Sequence, residues 1–220
     1  MAYLELLSDV HARTRRDYLA RILQGNKAEL ATLARKFSVE YWDGDRSTGY
    51  GGYHYDGRWL PVAQRLGEQY ALRPGDRILD VGCGKGFLLH ELTRACPGVE
   101  VIGLDVSAYA LHHAKPEVVG RVVRGTAVHL PFPDHAFDLV VSINTLHNLF
   151  LPELDAALRE IERVGRRHKY VVMDSYRSEQ EKLNLMCWQL TCECFFTPVE
   201  WAWILERAGY TGDHGCIFFE

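Results

Sequence analysis

The stretch Arg77–Phe87 reads Arg-Ile-Leu-Asp-Val-Gly-Cys-Gly-Lys-Gly-Phe, and it decides the fold. It begins with a short apolar run containing β-branched residues, which is typical of a buried parallel strand. Gly82, Gly84 and Gly86 follow at alternate positions, and glycine lets a ligand lie directly against the backbone. A helical pattern starts at Phe87. Strand, glycine turn and helix together predict a nucleotide-type pocket at the carboxyl edge of a parallel sheet.

Asp80 is the distinctive residue of this stretch. It places an acid at the end of the strand, immediately before the glycines. A carboxylate there would repel a pyrophosphate, whereas it would attract a ligand that carries positive charge. The position of Asp80 therefore favours a cationic ligand group beside the glycine turn.

Three segments resemble motifs of class I S-adenosylmethionine-dependent methyltransferases. Leu79–Gly86 resembles the first motif of that family, and Val101–Ser107 is similar to its second strand with a terminal acid. Leu130–Ser142 is similar to the approach to its fourth strand. Three motifs in order are more specific than a glycine triplet alone. The resemblance covers Asp76 to Gly209 and implies S-adenosyl-L-methionine as cofactor and methyl transfer as activity.

A dinucleotide-binding fold is the alternative for the glycine stretch. Its fingerprint is G-x-G-x-x-G with an acid about 20 residues further on. This chain has G-x-G-x-G instead, although Asp105 lies at about that distance from Gly86. Asp105 therefore does not distinguish between the two cofactors, whereas the glycine spacing and Asp80 favour the methyl donor over NAD.

Strand and helix patterns alternate after the glycine motif. They predict an α/β, Rossmann-like, doubly wound and mostly parallel sheet of six or seven strands. The family usually ends in two strands, but few residues remain after Gly209, so the seventh would be short or absent. We assign residues 1–60 to an N-terminal helical and lid extension, with helices over residues 3–24 and 27–37. Residues 61–220 form the predicted S-adenosylmethionine-binding domain.

The segment Tyr41–Trp59 has neither a helical nor a strand period and combines aromatic residues with glycines. Long glycine-bearing loops in compact domains are often lids or binding loops. We interpret the segment as a lid ordered by the cofactor; the alternative is a loop whose aromatic side chains simply pack on the core. The residues expected to face the ligands are Trp42, Tyr50, Tyr53, Tyr55 and Trp59.

The resemblance implies a set of cofactor contacts. Asp80 and the glycines would approach the methionine end, and Asp105 would accept two ribose hydroxyls. Arg58 is a candidate for the cofactor carboxylate. Thr126 stands where the family often has an acid beside the adenine, so that contact would be weaker or made by the backbone. The predicted cofactor-binding residues are Asp80, Gly82, Cys83, Gly84, Gly86, Asp105, Val106, Thr126, Ala127, Asn144 and Arg58.

The acceptor site is less well determined by the sequence. His147 follows the fourth strand, where the transferred methyl should lie, and could act as a general base for a hydroxyl acceptor. A histidine nearby is also common in family members where it has no catalytic role. Residues 40–59 contain four acids and two arginines among the aromatics. This composition suits a cationic or amine acceptor, although a solvated acidic loop is an equally good interpretation.

The composition of the chain limits the classes of molecule that it is expected to bind. The net charge of −4 argues against a nucleic-acid surface, which would normally be basic. No apolar run reaches membrane-spanning length, and the first ten residues carry acids rather than a basic leader. We therefore expect a cytoplasmic protein with a small-molecule or peptide substrate, and no nucleic-acid or membrane partner. The oligomeric state stays open.

The cysteines raise the question of a metal site. The relevant side chains are Cys187, Cys192, Cys194, His214 and Cys216. Their spacing, C-x4-C-x-C, is not a standard zinc pattern. We expect buried thiols and no metal, because methyl transfer needs none.

Two other functions remain compatible with the motifs. The first is a different use of the same cofactor, such as transfer of its aminopropyl group, which product mass would distinguish. The second is a cofactor-binding partner subunit without its own activity. That interpretation would gain support if the aromatic residues of the lid were folded into a protein interface.

Overall fold

The computed structural model describes residues 1–7, residue 10 and residues 16–220. The strands are β1 (Arg77–Val81), β2 (Glu100–Asp105), β3 (Val122–Arg124), β4 (Phe137–Ile143), β5 (Gly165–Asp174) and β6 (Asp213–Ile217). They form one six-stranded sheet in the order β3-β2-β1-β4-β5-β6. All neighbouring strands are parallel. The predicted Rossmann-like α/β fold is confirmed, with six strands among the described residues.

Helices precede the sheet and flank its strands. The first group is α1 (Tyr18–Leu23), α2 (Lys27–Ala34), α3 (Val39–Trp42) and α4 (Leu60–Gln69). The second group is α5 (Phe87–Ala95), α6 (Ala108–His112), α7 (Leu151–Val164), α8 (Glu179–Trp188) and α9 (Pro198–Arg207). Thr197 illustrates how the sequence starts a helix, because its hydroxyl accepts from the amide of Glu200 at the beginning of α9. The carboxylate of Glu200 in turn accepts from the Thr197 amide.

The core lies on both faces of the sheet, which explains the near-continuous apolar run of each central strand. Successive side chains of a strand point to opposite faces. Ile78 and Leu139 accordingly belong to one buried cluster, and Leu79 and Val140 to the other. All seven residues of β4 are buried. The ends of the central strands are therefore held rigidly.

The beginning of the chain differs from the predicted helix over residues 3–24. Tyr3 forms a parallel bridge with His214, and the Leu4 amide donates to the His214 carbonyl at 2.8 Å. Residues 2–4 thus pair with the outer edge of β6, where backbone groups would otherwise lack partners. The helix is confirmed only at α1, and residues 8, 9 and 11–15 lie outside the described residues. Within the described ranges, no helix combines the length and apolarity that crossing a bilayer requires.

Candidate active site

The glycine turn after β1 needs glycine for two reasons. Gly82 and Gly84 have φ of 87° and 54°, in the left-handed region. A Cβ on Gly82 would overlap the Thr145 hydroxyl, and a Cβ on Gly84 would lie 2.8 Å from the Trp42 ring. The Gly82 amide also donates to the Leu104 carbonyl at 2.7 Å. Backbone conformation and close packing together fix this turn against β2.

A cavity of about 360 Å³ opens at this turn, and we call it the glycine-loop cavity. It lies at the carboxyl ends of β1, β2 and β4. The predicted cofactor residues that line it are Asp80, Gly82, Cys83, Gly84, Asp105, Val106, Thr126, Ala127 and Asn144. The predicted lid residues that line it are Trp42, Tyr50, Tyr53 and Trp59. Gly86, at φ 72°, instead precedes the first residue of α5.

Asp80 is buried at the floor of the glycine-loop cavity, with 4% of its surface exposed. Burial and the nearby carboxylate of Asp105 raise the pKa of Asp80 to about 7. Within the described part of the chain, no N–H or O–H group donates to this carboxylate. A buried carboxylate without a donor is costly when ionised, so a cationic ligand group would stabilise it.

Asp105 has a different environment. Its two carboxylate oxygens accept from the amides of Gly84 and Ser107, each at 2.8 Å. Each oxygen keeps a further lone pair for a hydroxyl donor. Burial raises the pKa of Asp105. Ser107, rather than Asp105, caps α6 by accepting from the Ala110 amide, so the Asp105 carboxylate can face the cavity.

The aromatic segment is attached to the glycine turn by a buried ion pair. Lys85, inside the glycine motif, is only 5% exposed. Its ammonium lies 2.6 Å from the Asp43 carboxylate and donates to the Tyr53 carbonyl at 2.9 Å. Trp42 adds a hydrogen bond from its indole to the Ser107 hydroxyl. The segment therefore covers the glycine-loop cavity in this structure, whereas its ordering by the cofactor stays a prediction.

Tyr55 is the one predicted lid residue that does not line the glycine-loop cavity. Its hydroxyl donates to the carboxylate of Glu91, which is fully buried on α5. Its ring packs edge-on against Phe87. Tyr55 thus attaches the segment to α5 instead of facing a ligand.

A second cavity of about 340 Å³ adjoins the first, and we call it the arginine cavity. Residues common to both linings are Tyr41, Tyr50, Tyr53, Trp59 and Asn144. The arginines in its lining are Arg16, Arg21, Arg46 and Arg58. Further walls come from the segment 188–191 after α8 and from Ile217 and Phe219. Sequence reasoning missed these later walls, because no local pattern marks them.

Arg58 lies apart from the other predicted cofactor-binding residues. It lines the arginine cavity and not the glycine-loop cavity. Its guanidinium donates to both carboxylate oxygens of Asp56, at 2.7–3.0 Å. This pairing raises the pKa of Arg58. The position therefore does not support binding of the cofactor carboxylate, because the guanidinium is held by its neighbour two residues away.

His147 lies in the arginine cavity with 2% of its surface exposed. Its Nδ1 accepts from the Asp174 amide at 3.1 Å, and its Nε2 lies 3.4 Å from the Asp174 carboxylate. Burial lowers the pKa of His147. The ring is therefore neutral with its proton on Nε2, and its lone pair is already used. In this arrangement it stabilises the end of β5 and offers no free base.

The cysteines are reduced and buried or half-buried. The Cys192 thiol donates to the Cys194 carbonyl, and the Cys194 thiol to the Leu149 carbonyl. Burial raises the pKa of Cys194 to about 11, which keeps the thiol protonated. Within residues 1–7, 10 and 16–220, no three His, Cys, Asp or Glu side chains are placed to hold a metal ion.

Comparison with known proteins identifies the family. A family model described as a methyltransferase domain matches residues 79–173. The chain is 31% identical over 156 residues to an uncharacterized methyltransferase of Synechocystis sp., and the match covers 66% of this chain and 71% of that protein. The chain belongs to the class I S-adenosylmethionine-dependent methyltransferase family. Members of this family use S-adenosylmethionine as methyl donor.

Other similarities relate this chain to diverse methyltransferases. It is 33% identical over 135 residues to the sterol 24-C-methyltransferase erg6 of Schizosaccharomyces pombe, a match that covers 55% of this chain and 34% of that protein. The chain spans about a third to a half of the length of the first curated relatives that it matches. A chain from the Haloferax volcanii complex of the Trm112 methyltransferase activator with a methyltransferase shares the fold, with TM-score 0.55 and 21% identity. That likeness covers 66% of this chain and 67% of the other.

Proposed function

We propose that this class I methyltransferase transfers a methyl group to N or O of a small molecule or peptide bound in the arginine cavity. One observation carries the proposal: the two cavities adjoin at Tyr50, Tyr53 and Asn144. Methyl transfer requires donor and nucleophile to be held in line and close together. A second cavity that shares a wall with the first provides a place for the acceptor beside the donor.

Three features of the glycine-loop cavity fit S-adenosylmethionine. The carboxylate of Asp80, which lacks a donor, suits the cofactor ammonium, and the Asp105 oxygens suit the ribose hydroxyls. The left-handed turn at Gly82 brings the backbone of the glycine loop into the cavity lining. Val106 and Thr126 lie in the same lining, which supports their assignment to the adenine. When bound, the cofactor supplies an activated methyl on its sulfonium.

The aromatic side chains exclude water from the reacting atoms. Trp42, Tyr50 and Tyr53 form a contiguous cluster, with ring centroids 4.5–5.5 Å apart. Tyr53 also stacks on Phe87 with centroids 4.9 Å apart. A closed apolar cover strengthens the electrostatic contacts inside the cavity. We assign residues 1–60 this covering role and residues 61–220 the binding of the cofactor.

His147 is not needed as a base for every acceptor. A neutral amine or a carboxylate attacks without prior loss of a proton, whereas a hydroxyl benefits from a base. The contacts of His147 with Asp174 support a positioning role at the floor of the arginine cavity. The name of the sterol enzyme specifies a carbon acceptor. The proposal of N or O therefore rests on the site and not on the names of the relatives.

Two measurements test this function. Calorimetry should detect binding of S-adenosylhomocysteine and no binding of NAD. Mass spectrometry of a small-molecule extract incubated with protein and S-adenosylmethionine should then show products heavier by one methylene unit. Products heavier by the 3-amino-3-carboxypropyl group of S-adenosylmethionine would indicate the other transferase reaction instead of methyl transfer. Tight cofactor binding without any product across broad extracts would favour the partner-subunit function.

A further inference from the structure

Three arginines of the arginine cavity gather around one indole ring. The guanidinium carbons of Arg16, Arg21 and Arg46 lie 5.6, 5.6 and 5.2 Å from the centroid of Trp188. Trp188 is the last residue of α8, and all four side chains belong to the cavity lining. Stacking on an aromatic ring holds a guanidinium plane in a defined orientation. The cluster is thus a preorganised group of positive charges.

The hydrogen bonds of Arg21 and Arg46 go to neutral oxygens. Arg21 donates to the Trp188 carbonyl, to the Gln24 amide oxygen at 3.2 Å and to the Arg46 carbonyl. Arg46 donates to the carbonyls of Gly49 and Tyr50. Over the described ranges, neither arginine forms a salt bridge. Other arginines differ: Arg58, for example, is paired with Asp56 at 2.7 Å.

Carboxylates do not balance this charge within the described lining. Asp174 is the one carboxylate there, and it favours the charged form of Arg16, accepts from Gln189 and lies beside His147. Asp45 is close enough to favour the charged form of Arg21, but it is exposed and outside the lining. Burial and the neighbouring Arg46 lower the pKa of Arg21. The cavity therefore contains like charges that an anion would stabilise.

We infer that the acceptor is an anion whose carboxylate or phosphate group binds Arg21 and Arg46, with its nucleophilic atom directed to the wall shared with the glycine-loop cavity. This inference rests on the proposed function, because it assigns a substrate class to the proposed acceptor site. Guanidinium forks match the geometry of both oxyanions. Arg16 adds a third positive charge on the same indole ring.

The amine preference expected from the acidic composition of the lid is not supported at this cavity. Asp43 faces Lys85 in the glycine motif, and Asp56 is paired with Arg58. Asp43 and Asp56 are therefore neutralised by contacts that a count of charges does not reveal. The charges that do line the cavity are predominantly arginines.

Ligand-observed NMR titration with four probes tests the inference on the full chain saturated with S-adenosylhomocysteine. The probes are benzoate, phenyl phosphate, benzamide and benzylamine. At least one of the two anions should bind about tenfold or more tightly than benzamide and benzylamine. The tighter anion distinguishes a carboxylate acceptor from a phosphate acceptor. Equal or weaker binding of the anions, including no detectable binding, would overturn the inference.

Matched variants separate charge from packing. Arg46→Gln and Arg21→Gln should each weaken anion binding about tenfold, and Arg46→Lys should restore part of it. Arg159→Gln is the control, because Arg159 is a surface arginine paired with Asp155. Equal anion affinity in all of these variants would refute the role of the cluster. Absence of S-adenosylhomocysteine binding in the unaltered protein would refute the proposed function itself, whereas its binding without anion preference would refute this inference alone.

Discussion

The two cavities adjoin and share the aromatic segment, yet their remaining walls come from different parts of the chain. The glycine-loop cavity adds the glycine turn and the ends of β1, β2 and β4. The arginine cavity adds the arginines, His147, Asp174, the segment 188–191, Ile217 and Phe219. The glycine turn tolerates little variation because a Cβ on Gly82 would meet Thr145, whereas a wall made from converging side chains can change with single substitutions. The comparison indicates how one fold keeps its donor and varies its acceptor.

The largest expected effect comes from adding one methyl group to Gly82 in the glycine turn. Gly82→Ala places a Cβ in contact with Thr145 at a left-handed φ. The left-handed conformation alone costs about 1–3 kcal/mol. Since the clash adds to this, we expect the loop to relax and S-adenosylhomocysteine affinity to fall about 100-fold or more. Gly120→Ala is the control because a Cβ there meets nothing within 4 Å. Calorimetry measures S-adenosylhomocysteine binding by both variants. Unchanged affinity in Gly82→Ala would refute the close-packed turn.

Asp105→Ala should weaken S-adenosylhomocysteine binding by roughly 1.5–3 kcal/mol, the scale of hydrogen bonds to a charged group. The control is Asp155→Ala, which removes an exposed carboxylate paired with Arg159 on α7. Calorimetry compares the two dissociation constants. Unchanged affinity in Asp105→Ala would show that Asp105 does not bind the ribose hydroxyls. The role of its carboxylate would then be limited to the hydrogen bonds from the two amides.

Asp80 should make cofactor binding dependent on pH. Its pKa of about 7 means that the carboxylate is mostly ionised at pH 8 and mostly protonated at pH 6. Because an ammonium binds the ionised form, S-adenosylhomocysteine affinity should fall about tenfold from pH 8 to pH 6. Calorimetry across this range checks the slope. Asp80→Asn should bind weakly at both pH values, and a slope that persisted in this variant would assign the titration elsewhere.

The same raised pKa affects stability with a defined sign. An unfolded aspartate titrates near about 3.9, so the folded state holds the Asp80 proton to higher pH. This contribution to stability is complete below about pH 4 and is lost as the pH rises through 7. The melting temperature of Asp80→Asn should therefore decline less over this pH window than that of the unaltered protein.

His147→Gln should lower turnover less than tenfold and leave cofactor binding intact, because the ring contacts Asp174 rather than a free site. A general base would instead contribute about 10²–10⁴-fold. Steady-state kinetics with the acceptor found by mass spectrometry makes the comparison. A loss in that larger range in a folded variant would restore the catalytic assignment and favour a hydroxyl acceptor.

The smallest effect concerns the aromatic cover. Saturating S-adenosylhomocysteine should slow amide exchange over Tyr41–Trp59, and Lys85→Met should speed it in the free protein. Lys85 and Asp43 are 6% and 21% exposed as side chains. Loss of the ion pair therefore costs less than the roughly 3–5 kcal/mol seen for fully buried pairs. Equal protection with and without ligand would make the segment permanent packing.

Local signals explain what the sequence could predict. The fold is indicated by short local patterns: the apolar run around Ile78 and Leu79, the glycines, and the acids at the ends of strands. The sheet and the glycine-loop lining could therefore be predicted. The sequence pattern indicates a last strand at Cys216–Glu220, whereas the strand is Asp213–Ile217, because His214 and Gly215 pair through their backbones with β5 and need no apolar pattern. A few residues of shift is the usual error of boundaries taken from composition.

Distant contacts explain what the sequence could not predict. The partner of Asp43 is Lys85, 42 positions away, so a count of lid charges does not show which of them are already paired. Tyr3 and Leu4 looked helical but pair with His214 at the far end of the chain. The arginine cavity depends on Trp188 and Phe219, whose positions follow only from the folded sheet.

The pairing of Ala2 with β6 has a consequence for the order of events during translation. The Ala2 amide donates to the Asp213 carboxylate, 211 positions later in the chain. Ile217 and Phe219, made still later, close the arginine cavity. Contacts at such separation form late, because the intervening chain must first be ordered. On the ribosome, the glycine-loop cavity can therefore be assembled before the arginine cavity is closed.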